Sequence, residues 1–210
     1  MVTLTILYML NYDSLDDSKW FTELLGLRKG RQDLLKEVSG DVLEVGCGTG
    51  INLQFYPLSS ISTLTLLDSS PGMLSVASSK ALSLPPPLPT IKTVVADVLV
   101  PSSFPPSQKY DYIVSTFTLC VLPSPTLALT NLSDLLSTSG RLLLFENSRS
   151  SSGLISAYQD ITAEAASGFG GKGCVYNQDV RKIAQDAGLE VVEERTYAKG
   201  LFRAYVCKIP

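Results

Sequence analysis

Glycine stands at alternate positions 46, 48 and 50, immediately after the short apolar run 42–45. Such a run reads as a buried strand of a parallel sheet. Glycines at its end let the backbone take positive φ and let a ligand approach without meeting a Cβ. Glu44 sits just before the turn, where a carboxylate can meet a cationic group. Asp68 follows the next apolar run, and Asp97 the one after that. A carboxylate has two acceptor oxygens, so Asp68 suits the paired hydroxyls of a ribose, and Asp97 suits an adenine amino group. Ser69 adjoins the first acid, Ala96 and Val98 can wall a flat base, and Met73 can cover its other face.

The rival reading is a dinucleotide loop, G-x-G-x-x-G, whose third glycine lets a helix pack closely on the strand. Here the third glycine, Gly50, comes one residue early, and Ile51 holds the position that pattern needs. A nicotinamide oxidoreductase is therefore disfavoured. The string Glu44-Val-Gly-Cys47-Gly-Thr-Gly50 is that of an adenosyl-cofactor loop and points to S-adenosylmethionine (SAM).

Composition narrows the chemistry. The 210 residues fit one domain, and 45% apolar residues can build one sizeable core. Net charge is −3 and no Lys/Arg-rich block occurs, so the electrostatic footprint of a nucleic-acid binder is missing. The chain has no histidine, which removes His-based triads, His metal sites and the usual base near neutral pH. Cys47, Cys120, Cys174 and Cys207 are widely spaced, with no C-x-x-C pair, so no metal site is expected. They read as reduced thiols of an intracellular protein, cytoplasmic or mitochondrial. The apolar start, residues 1–10, is half the length of a spanning helix. It suits a packed helix, an irregular start, or peripheral membrane contact.

The elements that must position these groups alternate along the chain. Helical periodicity over 11–38, interrupted at Gly26 and Gly30, predicts two helices, so residues 1–40 form a helical segment able to fold over the cofactor. Strands are expected at 42–45, 63–67, 92–96, 110–115 and 141–145, with helices from Ile51 to Pro57, from Ser70 onward, and over 126–138 with its stop at Ser139-Gly140. The prolines within 81–89 and 101–106 mark extended connections, the former a plain loop or a ligand for an SH3-like domain. A helix over 178–187 and a hairpin of strands 190–196 and 202–208 close the chain. The polar, glycine-rich stretch 148–177 reads as an insertion suited to a substrate lid. The expected fold is α/β: a single Rossmann-like domain over 41–210, with a mostly parallel seven-stranded sheet, helices on both faces and a C-terminal antiparallel hairpin. Ligands then bind beyond the carboxyl ends of the strands, where the acids sit.

In that order of motifs the chain resembles a class I SAM-dependent methyltransferase over nearly its whole length. It is most similar to the methyltransferase-like proteins that include membrane-associated alkyl thiol methyltransferases and a fungal mitochondrial inner-membrane methyltransferase. It also shades into the quinone-biosynthesis methyltransferases. The resemblance is carried by residues 40–57, Thr116-Phe-Thr-Leu-Cys120, Phe145-Glu-Asn147 and Gly173-Cys-Val-Tyr-Asn177. It implies that Glu44, Gly46, Gly48 and Gly50 line the methionine part of SAM, with Asn52 near the start of the following helix. It also implies that Asp68 holds the ribose, Asp97 the adenine amine, and that Thr116 and Phe117 lie beside the sulfonium. Relatives carry a longer hydrophobic leader that anchors them to membrane.

Methyl transfer from a sulfonium needs alignment more than acid–base help. A thiol acceptor, with a pKa of about 8.5, suits a chain without histidine; quinols and phenols, near 10, are harder. Acceptor contacts are expected from Tyr12, Cys120, Asn147, Cys174 and Tyr176, and Tyr12 could instead cap the cofactor carboxylate. The reading is a SAM-dependent methyltransferase for a small, apolar acceptor. The alternative is a SAM-binding, non-catalytic assembly or scaffold factor.

Overall fold

The apolar runs become β1 (Gly40–Val45), β2 (Ile61–Asp68), β3 (Thr90–Val95), β4 (Tyr110–Thr116), β5 (Leu136–Asn147), β6 (Glu190–Tyr197) and β7 (Phe202–Lys208). They form one sheet in the order β3-β2-β1-β4-β5-β7-β6. In this computed structural model residues 19–104, 108–168 and 173–210 are described. β1 to β5 pair in parallel, and β7 enters antiparallel between β5 and β6. The expected α/β architecture and its terminal hairpin are therefore present. β1 lies at the centre, between β2 and β4, where the order of strands reverses. That switch point opens the crevice in which doubly wound sheets bind ligands.

Side chains alternate across the sheet, so each strand feeds two cores. On one face Leu64, Leu66, Val114, Leu143 and Phe145 pack against Leu27, Leu34 and Leu35 of helix α2, while helix α1 precedes it. These helices span Lys19–Leu24 (α1) and Leu27–Leu35 (α2). On the same face lies α3 (Pro71–Leu82), contributing Leu74, Ala77 and Ala81. On the other face Leu43, Val45, Ile113, Leu142 and Leu144 meet α4 (Pro125–Ser133) and α6 (Val180–Asp186). Between those two in sequence runs α5 (Gly153–Gly168).

Three expectations need correction. First, residues 51–57 do not form an α-helix. Ile51–Phe55 is a 3-10 turn, and Tyr56 is extended (ψ 138°) because Pro57 disfavours the helical region for the residue before it. Second, the helix expected to 138 stops at Ser133, and Leu136 already pairs with Tyr110 as the start of β5. Gly140 is no helix stop. It lies within β5, where an added Cβ would sit 2.9 Å from the Tyr110 carbonyl oxygen. Third, α3 extends through Ala81 and Leu82, so the extended proline-rich connection begins only after the helix. The stretch expected as an insertion, 148–177, contains the sixteen-residue helix α5. Its buried positions include polar Ser156 and Gln159 beside Ala163, and Ile155 packs against the core, while Leu154 and Ile161 face outward, which weakens the usual amphipathic signal. Gln159 earns its interior place by accepting from the Ser150 N–H and donating to the Ser148 carbonyl.

One helix position matters more than the rest for the site. An added Cβ at Gly30 would lie 2.4 Å from the Phe145 ring. The glycine read as an interruption is instead the contact that lets α2 settle on the sheet. Its neighbour Arg31 is thereby carried to the ends of β1 and β4.

Candidate active site

The turn after β1 threads between β2 and β4. The Gly46 backbone has φ 62°, and an added Cβ would fall 2.3 Å from Thr118 Oγ1. Any other residue would meet both a left-handed strain and a clash. At Gly48, by contrast, an added Cβ meets nothing within 4 Å, because that part of the turn faces an open cleft.

The cleft has two lobes that share Gly46 and Phe117. In the first stand Asp68, Ser69, Ala96, Asp97 and Val98, opposite Val121 and Leu122. Asp68 is already oriented: one carboxylate oxygen accepts from the Gly48 N–H and the other from the Ser70 N–H, each at 2.9 Å. Each oxygen keeps a further lone pair, so a vicinal diol can be received by both. Asp97 accepts from the Leu99 N–H at 2.9 Å, which fixes its carboxylate at the end of the apolar slot.

The second lobe is lined by Glu44, Cys47, Gly48, Asn52, Met73 and Thr116, together with Arg31. Met73 lines this lobe from the start of α3, where the Ser70 hydroxyl accepts from the Met73 N–H and holds that first turn over the loop. Gly50, at φ 75°, packs on Ala77 of the same helix.

Behind the second lobe lies a buried polar network. Arg31, 3% exposed, donates through Nη1 to Asn52 Oδ1 at 2.7 Å and to Thr116 Oγ1 at 2.9 Å. Its guanidinium also lies 5.2 Å from the Phe117 ring centre. Asn52 donates to Glu44 Oε1 and Tyr56 to Glu44 Oε2, both at 2.9 Å. Burial pushes the Glu44 carboxyl up to about 7, while Tyr56, Asn52 and the Arg31 charge pull it down. The Tyr56 phenol and the Cys47 thiol are driven upward, chiefly by burial and then by the Glu44 charge. Cys47 is therefore a packed thiol, not a nucleophile.

Thr116 and Phe117 sit where β4 ends. Phe117 has φ 56°, an unusual conformation for a large side chain, and its ring is wedged edge-on against Phe145 and Phe202. Three of the expected acceptor residues come together just beyond. Asn147 Nδ2 contacts Cys120 Sγ at 3.5 Å and Cys174 Sγ at 3.6 Å. Tyr176 is separate from that group: its hydroxyl bonds Thr162 of α5. Tyr12 and residues 1–10 lie outside the described residues.

Sequence reading missed Arg31, Tyr56 and Glu146. Arg31 had a signal, since positions 27, 31, 34 and 35 share one helix face whose other members are leucines. Glu146, fully buried, accepts from the Thr118 and Leu119 N–H groups and from the Ser115 hydroxyl through Oε1.

Comparison with known proteins decides between the readings of this cleft. A family model described as a methyltransferase domain matches residues 21–194. The chain belongs to the methyltransferase domain family. This methyltransferase domain is 36% identical over 194 residues to the mitochondrial methyltransferase OMS1 of Saccharomyces cerevisiae, covering 87% of this chain and 41% of the yeast protein. It thus spans less than half the length of that relative. Among solved structures, the N-methyltransferase NodS of Bradyrhizobium japonicum, in complex with S-adenosylhomocysteine, aligns with a TM-score of 0.66 at 19% identity over 98% of this chain and 97% of its own. The methyltransferase CcbJ of Streptomyces caelestis aligns at 0.63 with 18% identity, covering 86% and 89%. Both establish the class I architecture of this methyltransferase domain.

Proposed function

We propose that the domain binds S-adenosylmethionine in the two-lobed cleft and transfers its methyl group to a small, apolar acceptor. The observation that carries this is the pre-oriented Asp68 carboxylate beside the open face of Gly48, in a chain of the methyltransferase family. The fit is chemical. A ribose finds a two-oxygen acceptor, a base finds the Ala96/Val98 slot ending in Asp97, and an amino-acid end finds Arg31, Asn52 and Glu44. The bound group would supply a methyl on a positively charged sulfur with a good leaving group already attached.

The residues then align rather than activate. Phe117, between the lobes, excludes water from the reacting centre, and Thr116 holds Arg31 and Asn52 in register with it. Cys120, Asn147 and Cys174 offer an uncharged, weakly polar floor beyond Phe117. That floor favours a thiol acceptor, which can lose its proton near neutral pH without a strong base, over a quinol or phenol. The mitochondrial setting of the yeast relative favours that compartment here.

The test is calorimetric titration with S-adenosylhomocysteine, then a methyl-transfer screen of thiols, quinols and phenols. Micromolar binding with turnover on thiols is expected. Binding without turnover on any class would favour the scaffold alternative, and absence of binding would refute the cleft assignment. In the same titration Asp68→Ala is expected to weaken binding by about 1–3 kcal/mol, since it removes a charged acceptor from a hydroxyl pair. Unchanged affinity would overturn the ribose role.

A further inference from the structure

Two cysteines far apart in sequence converge at the edge of the cleft. Cys120 is buried in the short turn Leu119–Val121; Cys174 is partly exposed in the segment before α6. Both sulfurs take the same amide nitrogen of Asn147 as neighbour, at 3.5 and 3.6 Å. The two backbones also abut, with the Val175 N–H donating to the Cys120 carbonyl at 2.7 Å. Both cysteines are free thiols. On either side of Cys120, Phe117, Thr118, Val121 and Leu122 line the first lobe.

We propose that Cys120 and Cys174 form an oxidative modification site, closing reversibly to a disulfide under peroxide and stapling residues 173–177 to the cleft wall. Exposure sets the order of events. Peroxide oxidises the accessible Cys174 sulfur to a sulfenic acid, its O–O bond breaks, and one water leaves. Cys120 Sγ then attacks that sulfur and displaces hydroxide, which takes the Cys120 proton and leaves as a second water. The two thiols lose two electrons and the peroxide gains them. A dithiol reductant reverses the step by thiol–disulfide exchange. The neighbouring Cys174 thiol, and then burial, hold Cys120 well above the ordinary thiol range, so it stays protonated until its partner has been activated. Cys47 and Cys207, both buried and remote from each other in the sequence, have no such arrangement and serve as internal controls. The crosslink is independent of what the cleft binds.

The experiment uses the full chain treated with hydrogen peroxide, blocked with iodoacetamide and digested with trypsin. Cleavage after Lys109, Arg141, Lys172 and Arg181 places Cys120 in peptide 110–141 and Cys174 in peptide 173–181. The expected product is those two peptides joined, separable by dithiothreitol and absent from the Cys174→Ser variant. Two alkylated peptides, or a Cys174 sulfinic acid with no joined pair, would overturn the site. Amide hydrogen exchange at 173–177 is expected to slow by about tenfold in the oxidised chain, as local opening is suppressed; unchanged exchange would overturn the staple. Both readings come from the wild-type chain, so a poorly folding variant does not disarm the test.

Discussion

Glu44 at the end of β1 and Glu146 near the end of β5 are two buried carboxyls, both pushed up to about 7 by burial, yet they are held in different ways. Glu44 is satisfied by side chains from a neighbouring turn, Asn52 and Tyr56, and Arg31 brings a positive charge from α2. Glu146 is satisfied mainly by backbone, the Thr118 and Leu119 N–H groups, and its Oε2 has no hydrogen-bond partner among the described residues. The first carboxyl ties a helix and a turn to the cleft. The second fixes the conformation of one loop, the loop that carries Phe117 and Cys120. Side-chain networks of the first kind bring separate elements into register, whereas backbone anchoring of the second kind sets a local turn.

The largest effect should come from breaking the Glu44 side alone. Arg31→Met leaves Asn52 and Thr116 without their charged donor and the Glu44 carboxyl without a nearby cation. A loss of about 3 kcal/mol in urea unfolding is expected, the upper end for hydrogen bonds to a charged group that leave buried acceptors unsatisfied. A loss below about 1 kcal/mol would mean that the guanidinium is not part of the interior balance.

The pH dependence separates the two carboxyls. In the folded chain each keeps its proton up to about pH 7, against an ordinary value of 4.5 once unfolded. Across that window the folded state binds more protons, so stability falls as pH rises from 4.5 to 7. Each group can contribute up to about 1.4 kcal/mol per pH unit within the window. Glu146→Gln should flatten its share of the slope and leave that of Glu44. Arg31→Met should push the Glu44 carboxyl further up and move its share of the fall to higher pH. Identical profiles for Glu146→Gln and the wild type would remove Glu146 from the account.

A smaller effect is expected from Gly30→Ala. The added methyl meets the Phe145 ring and displaces α2, and with it Arg31, from the sheet. Overpacking of this kind costs about 1–3 kcal/mol. Because it acts through α2, it should lower affinity for S-adenosylhomocysteine while leaving the pH response of Glu146 in place, which titration at two pH values would show.

The same contrast explains what could be read without a structure. The glycine turn, Asp68 and Asp97 were legible because a parallel sheet places strand ends at one edge, and short continuous apolar runs mark those ends. Arg31 was hidden in a leucine face, where a lone charge reads as an interruption. Helix α5 was hidden because it buries Ser156 and Gln159 and exposes Leu154 and Ile161, so no helical periodicity stood out within the polar insertion. The 3-10 turn at Ile51–Phe55 was masked by its apolar content, and only the shortness of the run before Pro57 argued otherwise. Glu146 stood inside a stretch that carried the resemblance but had no assignable role: an acid inside an apolar strand has one only once the loop that it anchors is folded back over it. Local pattern therefore located the cleft, while the groups that tension it come from elements distant in sequence.

The finest test of the comparison is Ser115→Ala. The Ser115 hydroxyl donates to Glu146 Oε1 at 3.2 Å and helps to hold that carboxyl down. Removing the donor costs about 1 kcal/mol where Glu146 is ionised. It should also raise the Glu146 carboxyl further, since a hydrogen bond to the charged form favours that form. The loss measured at pH 8 should accordingly exceed the loss at pH 5 by most of that amount, and the Glu44 share of the profile should not move. Equal losses at the two pH values would mean that Ser115 serves packing alone and that the backbone donors by themselves hold the Glu146 charge.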